Sequence, residues 1–309
     1  MKNILGYYYN VHPLEISHTK DTYFFEYNNN KYVFIVCKRP IDDLKALYEV
    51  NKEMLKKDIL VHEIILNNEN EVVTNVNNKP FVLMRLQINI NAPASLYDIY
   101  NINFNTVDIK CDSSLNRYDW VMLWESKNDY FEAQINEIGK KYPNASVYLN
   151  YYIGLAENAI KYAKNAINLK DDTRLCISHR RIRASETLFS LYNPLNYVYD
   201  YVPRDMCEYI KSMFFINEVE AYDLVVNYFN SVRPNYKEAL LFYARLLYPS
   251  YFFDIYDEIV NNNSGETQIE KYIIKSSSYE KFLQNVYFYM SSVYQSYIPS
   301  VDWIIKRSY

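Results

Sequence analysis

At 309 residues, half of them hydrophobic and 23% charged, the chain is long enough for one two-lobed domain or two ordinary domains with a substantial core. No apolar run approaches the ~20 residues of a membrane span, and the start, Met1-Lys-Asn-Ile-Leu-Gly-Tyr-Tyr-Tyr, lacks the apolar stretch and cleavage site of a secretory signal. A formal net charge of −4 gives little electrostatic reason to bind nucleic acid.

The first 86 residues read as strands with one helix between them. Thr22–Tyr27 and Tyr32–Cys37 are apolar, aromatic runs around the polar turn Asn28-Asn-Asn-Lys31, a hairpin signal. Pro40 stops the second run. From Ile41, the spacing of Leu44, Leu47, Tyr48, Met54 and Leu55 predicts a helix, with Asp42 and Asp43 favourably placed in its first turn. Strands follow at 61–66, 72–74 and 81–86, so the expected order is β-β-α-β-β-β. Residues 87–95 carry a Pro and polar residues and are expected to form a hinge. Beyond it, residues 96–309 turn mainly helical. Trp120, Leu123, Trp124, Phe131, Ile135 and Ile138 recur at helical spacing up to Gly139, and Tyr148–Leu169 forms a second long helix. Short strands are expected at 175–178 and 195–199, and the helices after 205 are broken at Pro234 and Pro249.

Few of these residues form a recognised chemical motif. Cys37, Cys111, Cys176 and Cys207 are widely separated, with no zinc-like spacing, and read as reduced thiols. His12, His18, His62 and His179 are too scattered for a metal site. Neither a P-loop nor a G-x-G-x-x-G can be written with isolated Gly6, Gly139, Gly154 and Gly265. No G-x-S-x-G occurs either. The 35 tyrosines are explained first by AT-rich coding and packing, with oxidative cross-linking of exposed ones as the functional alternative. The residues around Trp120, Trp124 and Trp303 read as core anchors.

The stretch that sharpens the layout is Leu175-Cys-Ile-Ser-His-Arg-Arg-Ile182, then Asn193-Pro-Leu-Asn-Tyr-Val-Tyr-Asp-Tyr201, then Pro203-Arg-Asp-Met-Cys-Glu-Tyr-Ile-Lys211. It resembles the catalytic loop, the metal-Asp strand and the following helix start of the protein-kinase and aminoglycoside-phosphotransferase superfamily. Within that group it looks most like the spore-coat CotS-like proteins, particularly their YutH-like branch. The resemblance implies an α+β, two-lobed protein-kinase-like fold, with a small β-rich lobe at 1–86, a hinge at 87–95 and a larger helical lobe at 96–309. Position by position, the catalytic-loop His is matched by His179. The general-base Asp falls on Arg181 and the metal-binding Asn on Glu186. Asp200 matches the metal-binding Asp, and Asp205 matches a structural Asp that braces the loop. Lys38, at the end of an apolar strand, is the best match for a phosphate-pairing lysine, with Glu49 or Glu53 as its partner; its alternative is a solvated strand-end residue.

A kinase needs a carboxylate to orient the attacking hydroxyl and side chains that hold Mg²⁺ against the phosphates. Arginine is a permanent cation and cannot be that base. The resemblance therefore implies a non-catalytic, pseudokinase-like protein of the spore coat or of sporulation, made in the cytoplasm, with other coat or sporulation proteins as partners and no cofactor. The alternatives are a small-molecule kinase or a nucleotide-binding regulator, using ATP and Mg²⁺ through Lys38 and Asp200. The cluster Arg174, Arg180, Arg181, Arg183 either pairs internally with Asp200, Asp205 or Glu186, or forms an anion-binding or docking surface. If Arg181 is buried against such a carboxylate, its removal costs roughly 3–5 kcal/mol; if it is exposed, less than about 0.5 kcal/mol.

Overall fold

With four glycines in the chain, the left-handed backbone positions of tight turns fall mainly to asparagine, whose short amide tolerates that region. The computed structural model describes residues 1–88, 91–138, 141–262, 265–294 and 297–307. In it, Asn28 and Asn29 have φ of 49° and 59°, and Asn77 and Asn78 have φ of 50° and 60°. Consecutive left-handed residues suit two-residue hairpins. Each pair joins antiparallel neighbours, β2 (Thr22–Tyr27) to β3 (Asn30–Val36), and β5 (Thr74–Val76) to β6 (Lys79–Leu86).

The described residues gather into two compact units, one made of Met1–Asn116 with Leu175–Asp200, the other of Arg117–Arg174 with Tyr201–Tyr309. In the first, the antiparallel sheet runs β1 (Ile16–Thr19), β2, β3, β6, β4 (Glu63–Ile65), and β5 also pairs with β6. Register pairs Phe25 with Tyr32, Phe34 with Leu83, and Val36 with Phe81, which puts these side chains on one face. There Phe25, Phe34, Phe81 and Leu83 form one core cluster with Leu5 and Tyr9 of α1 (Lys2–Tyr9). Helix α1 has no counterpart in the strand-dominated reading of the first 86 residues. Its Gly6 and three consecutive tyrosines are weak helix formers, and packing onto the sheet supplies what propensity does not.

The periodicity at 41–55 is realised as α2 (Ile41–Lys56), which buries Leu44, Leu47, Val50 and Met54. Asn51 interrupts that apolar stripe for a reason. Its amide donates to the His62 carbonyl (2.8 Å) and accepts from Ile64 N–H (2.9 Å), closing the outer edge of β4. After residues 87–95, of which 89 and 90 lie outside the described residues, comes α3 (Leu96–Asn105), opened by a Ser95–Asp98 capping box. Helix α3 ties down β7 (Leu175–His179): Asn103 donates to the Ile177 carbonyl (2.9 Å), and the Thr106 hydroxyl accepts from Ile177 N–H (3.0 Å). The short sheet of β7 with β8 (Tyr197–Tyr201) stands where two short strands are expected.

The second unit is helical. Helix α4 (Trp120–Ile138) follows the spacing from Trp120, and Gly139, its expected stop, lies outside the described residues. Leu123 and Trp303 are both 39% exposed rather than core. Helix α5 (Pro143–Ile167) begins before Tyr148 because Pro143 is suited to a first helical turn. Past α6 (Leu188–Leu191) of the first unit come α7 (Pro203–Phe214), α8 (Glu218–Val232), α9 (Tyr236–Leu247) and α10 (Ser250–Asn262), then α11 (Glu270–Ile274), α12 (Ser276–Val293) and α13 (Asp302–Ile305). The breaks at Pro234 and Pro249 fall between α8, α9 and α10 as expected. Tyr152, Tyr228, Tyr243, Tyr256 and Tyr279 are fully buried here, so packing accounts for much of the tyrosine excess. The four cysteines are free thiols, three of them buried.

Candidate functional site

Strand β7 places Cys176, Ile177, Ser178 and His179 in the interior, and the chain then emerges with Arg180 and Arg181 exposed. His179 is held at both ends of its ring. Its Nε2 lies 2.7 Å from the Leu191 carbonyl, and the ring meets Tyr197 edge-on at 5.1 Å. This histidine fixes the loop between β7 and β8. Arg180 N–H donates to the Asn196 carbonyl (2.8 Å), closing the same loop.

Arg181 is exposed and donates through Nη1 to the Arg180 carbonyl (2.9 Å). Glu186 is half-buried. Its backbone and that of the residues after it are engaged with residues 92–94: Ala94 N–H donates to the Glu186 carbonyl (2.8 Å), Leu188 N–H to the Ala92 carbonyl (2.9 Å), and Pro93 bridges Thr187. Asp200 is fully buried in β8, and Asp205 is fully buried in the first turn of α7. Arg174 leaves the cluster its neighbours form in sequence. It makes a two-pronged contact with Glu238 (2.8 and 2.7 Å), the acid that also completes the Asn235 capping box of α9.

On the sheet side, the structure separates Lys38 from its expected partners. Lys38 is exposed, while Glu49 pairs with Lys52 and Glu53 with Lys56 on the surface of α2. Its neighbour Arg39 is the residue turned inward, 8% exposed. Nε and Nη2 of Arg39 donate to Asp43 Oδ2 (3.2 and 2.9 Å), and Nη1 donates to the carbonyls of Leu195 (3.1 Å) and Tyr197 (2.7 Å). Burial lowers the Arg39 pKa and Asp43 opposes it, while burial pushes the Cys37 thiol up. Two-residue parity does not separate Lys38 from Arg39, because Val33 and Phe34, neighbours on opposite faces of the preceding strand, are both fully buried.

Where the resemblance calls for the general base stands the cation Arg181, and four N–H groups of Arg39 are engaged within the protein. Mg²⁺ is ordinarily held by one or two carboxylates together with the phosphates themselves, and Asp200 is the carboxylate at the matching position.

An antiparallel sheet carrying one long helix, a short hairpin with a buried Asp, and a mainly helical remainder is the protein-kinase-like fold of small-molecule phosphotransferases. The aminoglycoside phosphotransferase of Alicyclobacillus acidocaldarius subsp. acidocaldarius DSM 446 shares it with a TM-score of 0.66 at 9% identity, over 94% of this chain and 96% of that one. A spectinomycin phosphotransferase solved with ADP and spectinomycin gives 0.57 at 10% identity over 92% of each chain. Within that fold the chain belongs to the family of the spore coat putative kinase YutH, whose model matches residues 2–286. The endospore coat-associated protein YutH of Bacillus subtilis (strain 168) is 23% identical over 337 aligned positions, covering 97% of both proteins.

Proposed function

We propose that this chain is a non-catalytic, pseudokinase-like protein of the spore coat or of sporulation, whose phosphotransferase fold serves as a structural and interaction scaffold. The observation that carries the reading is Arg181, an exposed arginine where the resemblance requires the general base. A permanent cation cannot take up the proton of an attacking hydroxyl. The coat assignment is supported by the related endospore coat-associated protein, and its partners are other coat or sporulation proteins. No helix among the described residues is long and apolar enough to cross a membrane.

In this reading His179 and Asp205 are structural, Glu186 no longer binds metal, and Lys38 is a solvated strand-end residue. Incubation with ATP and Mg²⁺ and with sugars, aminoglycosides or choline-like alcohols is expected to yield no phosphorylated product. Turnover that disappears in Asp200→Asn would overturn the proposal. The buried, retained Asp200 favours one second reading, a regulator that binds nucleotide without transferring phosphate. ATP-dependent protection against thermal unfolding, lost in Asp200→Asn, would select it.

A further inference from the structure

We propose that Arg39 is a built-in clamp that holds the start of strand β8, three residues before Asp200, against the beginning of α2 without any nucleotide. A guanidinium offers five N–H donors in a rigid fork. Four are engaged here, two with Asp43 and two with the carbonyls of Leu195 and Tyr197. Asp43 lies in the first turn of α2, and both carbonyls belong to the segment entering β8, so one side chain ties together parts of the chain more than 150 residues apart. Arg39 and Asp43 are each 8% exposed, which shields the pair from solvent screening.

The clamp explains how the Asp200 strand keeps its place in a protein that needs no substrate to order it. A group that pairs with phosphate must present donors to the ligand, and Arg39 has one N–H left. Lysine could not substitute, since an ammonium cannot present a planar fork to a carboxylate on one side and two carbonyls on the other. The clamp itself stands on this geometry. Its independence from nucleotide rests on the non-catalytic reading.

The test is hydrogen exchange on the full-length wild type, Arg39→Met and Arg39→Lys, each with and without excess ATP and Mg²⁺. Arg39→Met is expected to speed amide exchange across 195–201 by about tenfold or more, as local opening becomes easier, with α12 in the other unit unchanged as an internal control. Arg39→Lys, which keeps the charge and loses the fork, is expected to behave like Arg39→Met rather than wild type. If Arg39→Met does not fold, the lysine variant decides. Wild-type exchange rates across 195–201 in the folded variants would overturn the clamp. Protection of that stretch by ATP and Mg²⁺ in wild type would overturn its nucleotide independence while leaving the clamp standing. Phosphate transfer with a normal clamp response would instead count only against the non-catalytic reading.

Discussion

Two side chains carry opposite lessons about charge and burial. Arg181 sits on the surface, where water and salt screen its charge, so the charge-keeping Arg181→Lys is expected to change unfolding free energy by less than about 0.5 kcal/mol; a urea titration measures it, and a loss of several kcal/mol would show that contacts of the guanidinium matter to the fold. His62 is fully buried. Its Nδ1 accepts from Gln87 N–H (3.3 Å) and the Phe189 ring lies 5.7 Å away. Burial pushes its pKa down to about 4, with the nearby Phe189 backbone opposing. Because the folded value is lower than the unfolded one, the unfolded chain binds the proton first as pH falls. Stability contributed by the neutral ring is therefore present above pH ~6.5 and lost between about 6.5 and 4, in all by about 3 kcal/mol. Denaturation of His62→Gln beside wild type across that window checks this: the variant is expected to show a shallower pH dependence.

At the scale of elements, helices α7, α9 and α10 are joined by a buried ionic network. Glu208 contacts Lys211, Arg245 and Ser250, each at 2.7 Å, and Lys211 also donates to the carbonyls of Arg245 and Tyr248. The Arg245 guanidinium lies over the stacked rings of Trp120 and Trp124 at 5.1 and 5.6 Å. Burial pushes Lys211 down to about 8 against the pull of Glu208; burial would raise Glu208, but the two cations hold it well below the usual carboxylate range. Glu208→Gln takes the shared carboxylate charge from two buried cations and is expected to cost about 3–5 kcal/mol. Lys211→Met leaves Glu208 paired with Arg245 and is expected to cost less; equilibrium denaturation of both variants gives the order. None of this was legible beforehand, because Glu208, Lys211 and Arg245 look like ordinary solvated helix charges until the tertiary fold closes over them. The long helices and the β7–β8 hairpin were legible, because apolar spacing and Pro breaks act locally. Helix α1 was not, since its stability comes from a sheet assembled 20 to 80 residues later. At the candidate site, the resemblance points to His179, Arg181, Glu186, Asp200 and Lys38, whereas the inward turn of Arg39 is not legible, because residues of both parities in the preceding strand, Val33 and Phe34, are buried.

For the whole molecule, the chain passes between its two units at 116–117, 174–175 and 200–201, so the first unit is completed only by Leu175–Asp200. Those residues are structural partners of the earlier segment. They supply the Leu195 and Tyr197 carbonyls to Arg39, the Ile177 N–H and carbonyl to Thr106 and Asn103, and the Tyr192 carbonyl to His62 N–H. Each buried polar group left without a partner costs about 1–3 kcal/mol. Several lost together compare with the whole stability of a domain, about 5–15 kcal/mol. Excision also exposes the apolar residues of α3 that β7 covers. A fragment of residues 1–116 is therefore expected not to fold, despite containing the complete six-stranded sheet and both helices that flank it. Supplying 175–200 on a flexible linker is expected to restore cooperative unfolding, because it returns the missing partners at high effective concentration. Near-ultraviolet circular dichroism and amide dispersion in NMR spectra of the two fragments decide the matter. A 1–116 fragment with a cooperative melt would show that the sheet and α2 are self-sufficient and that the hairpin is only docked onto them.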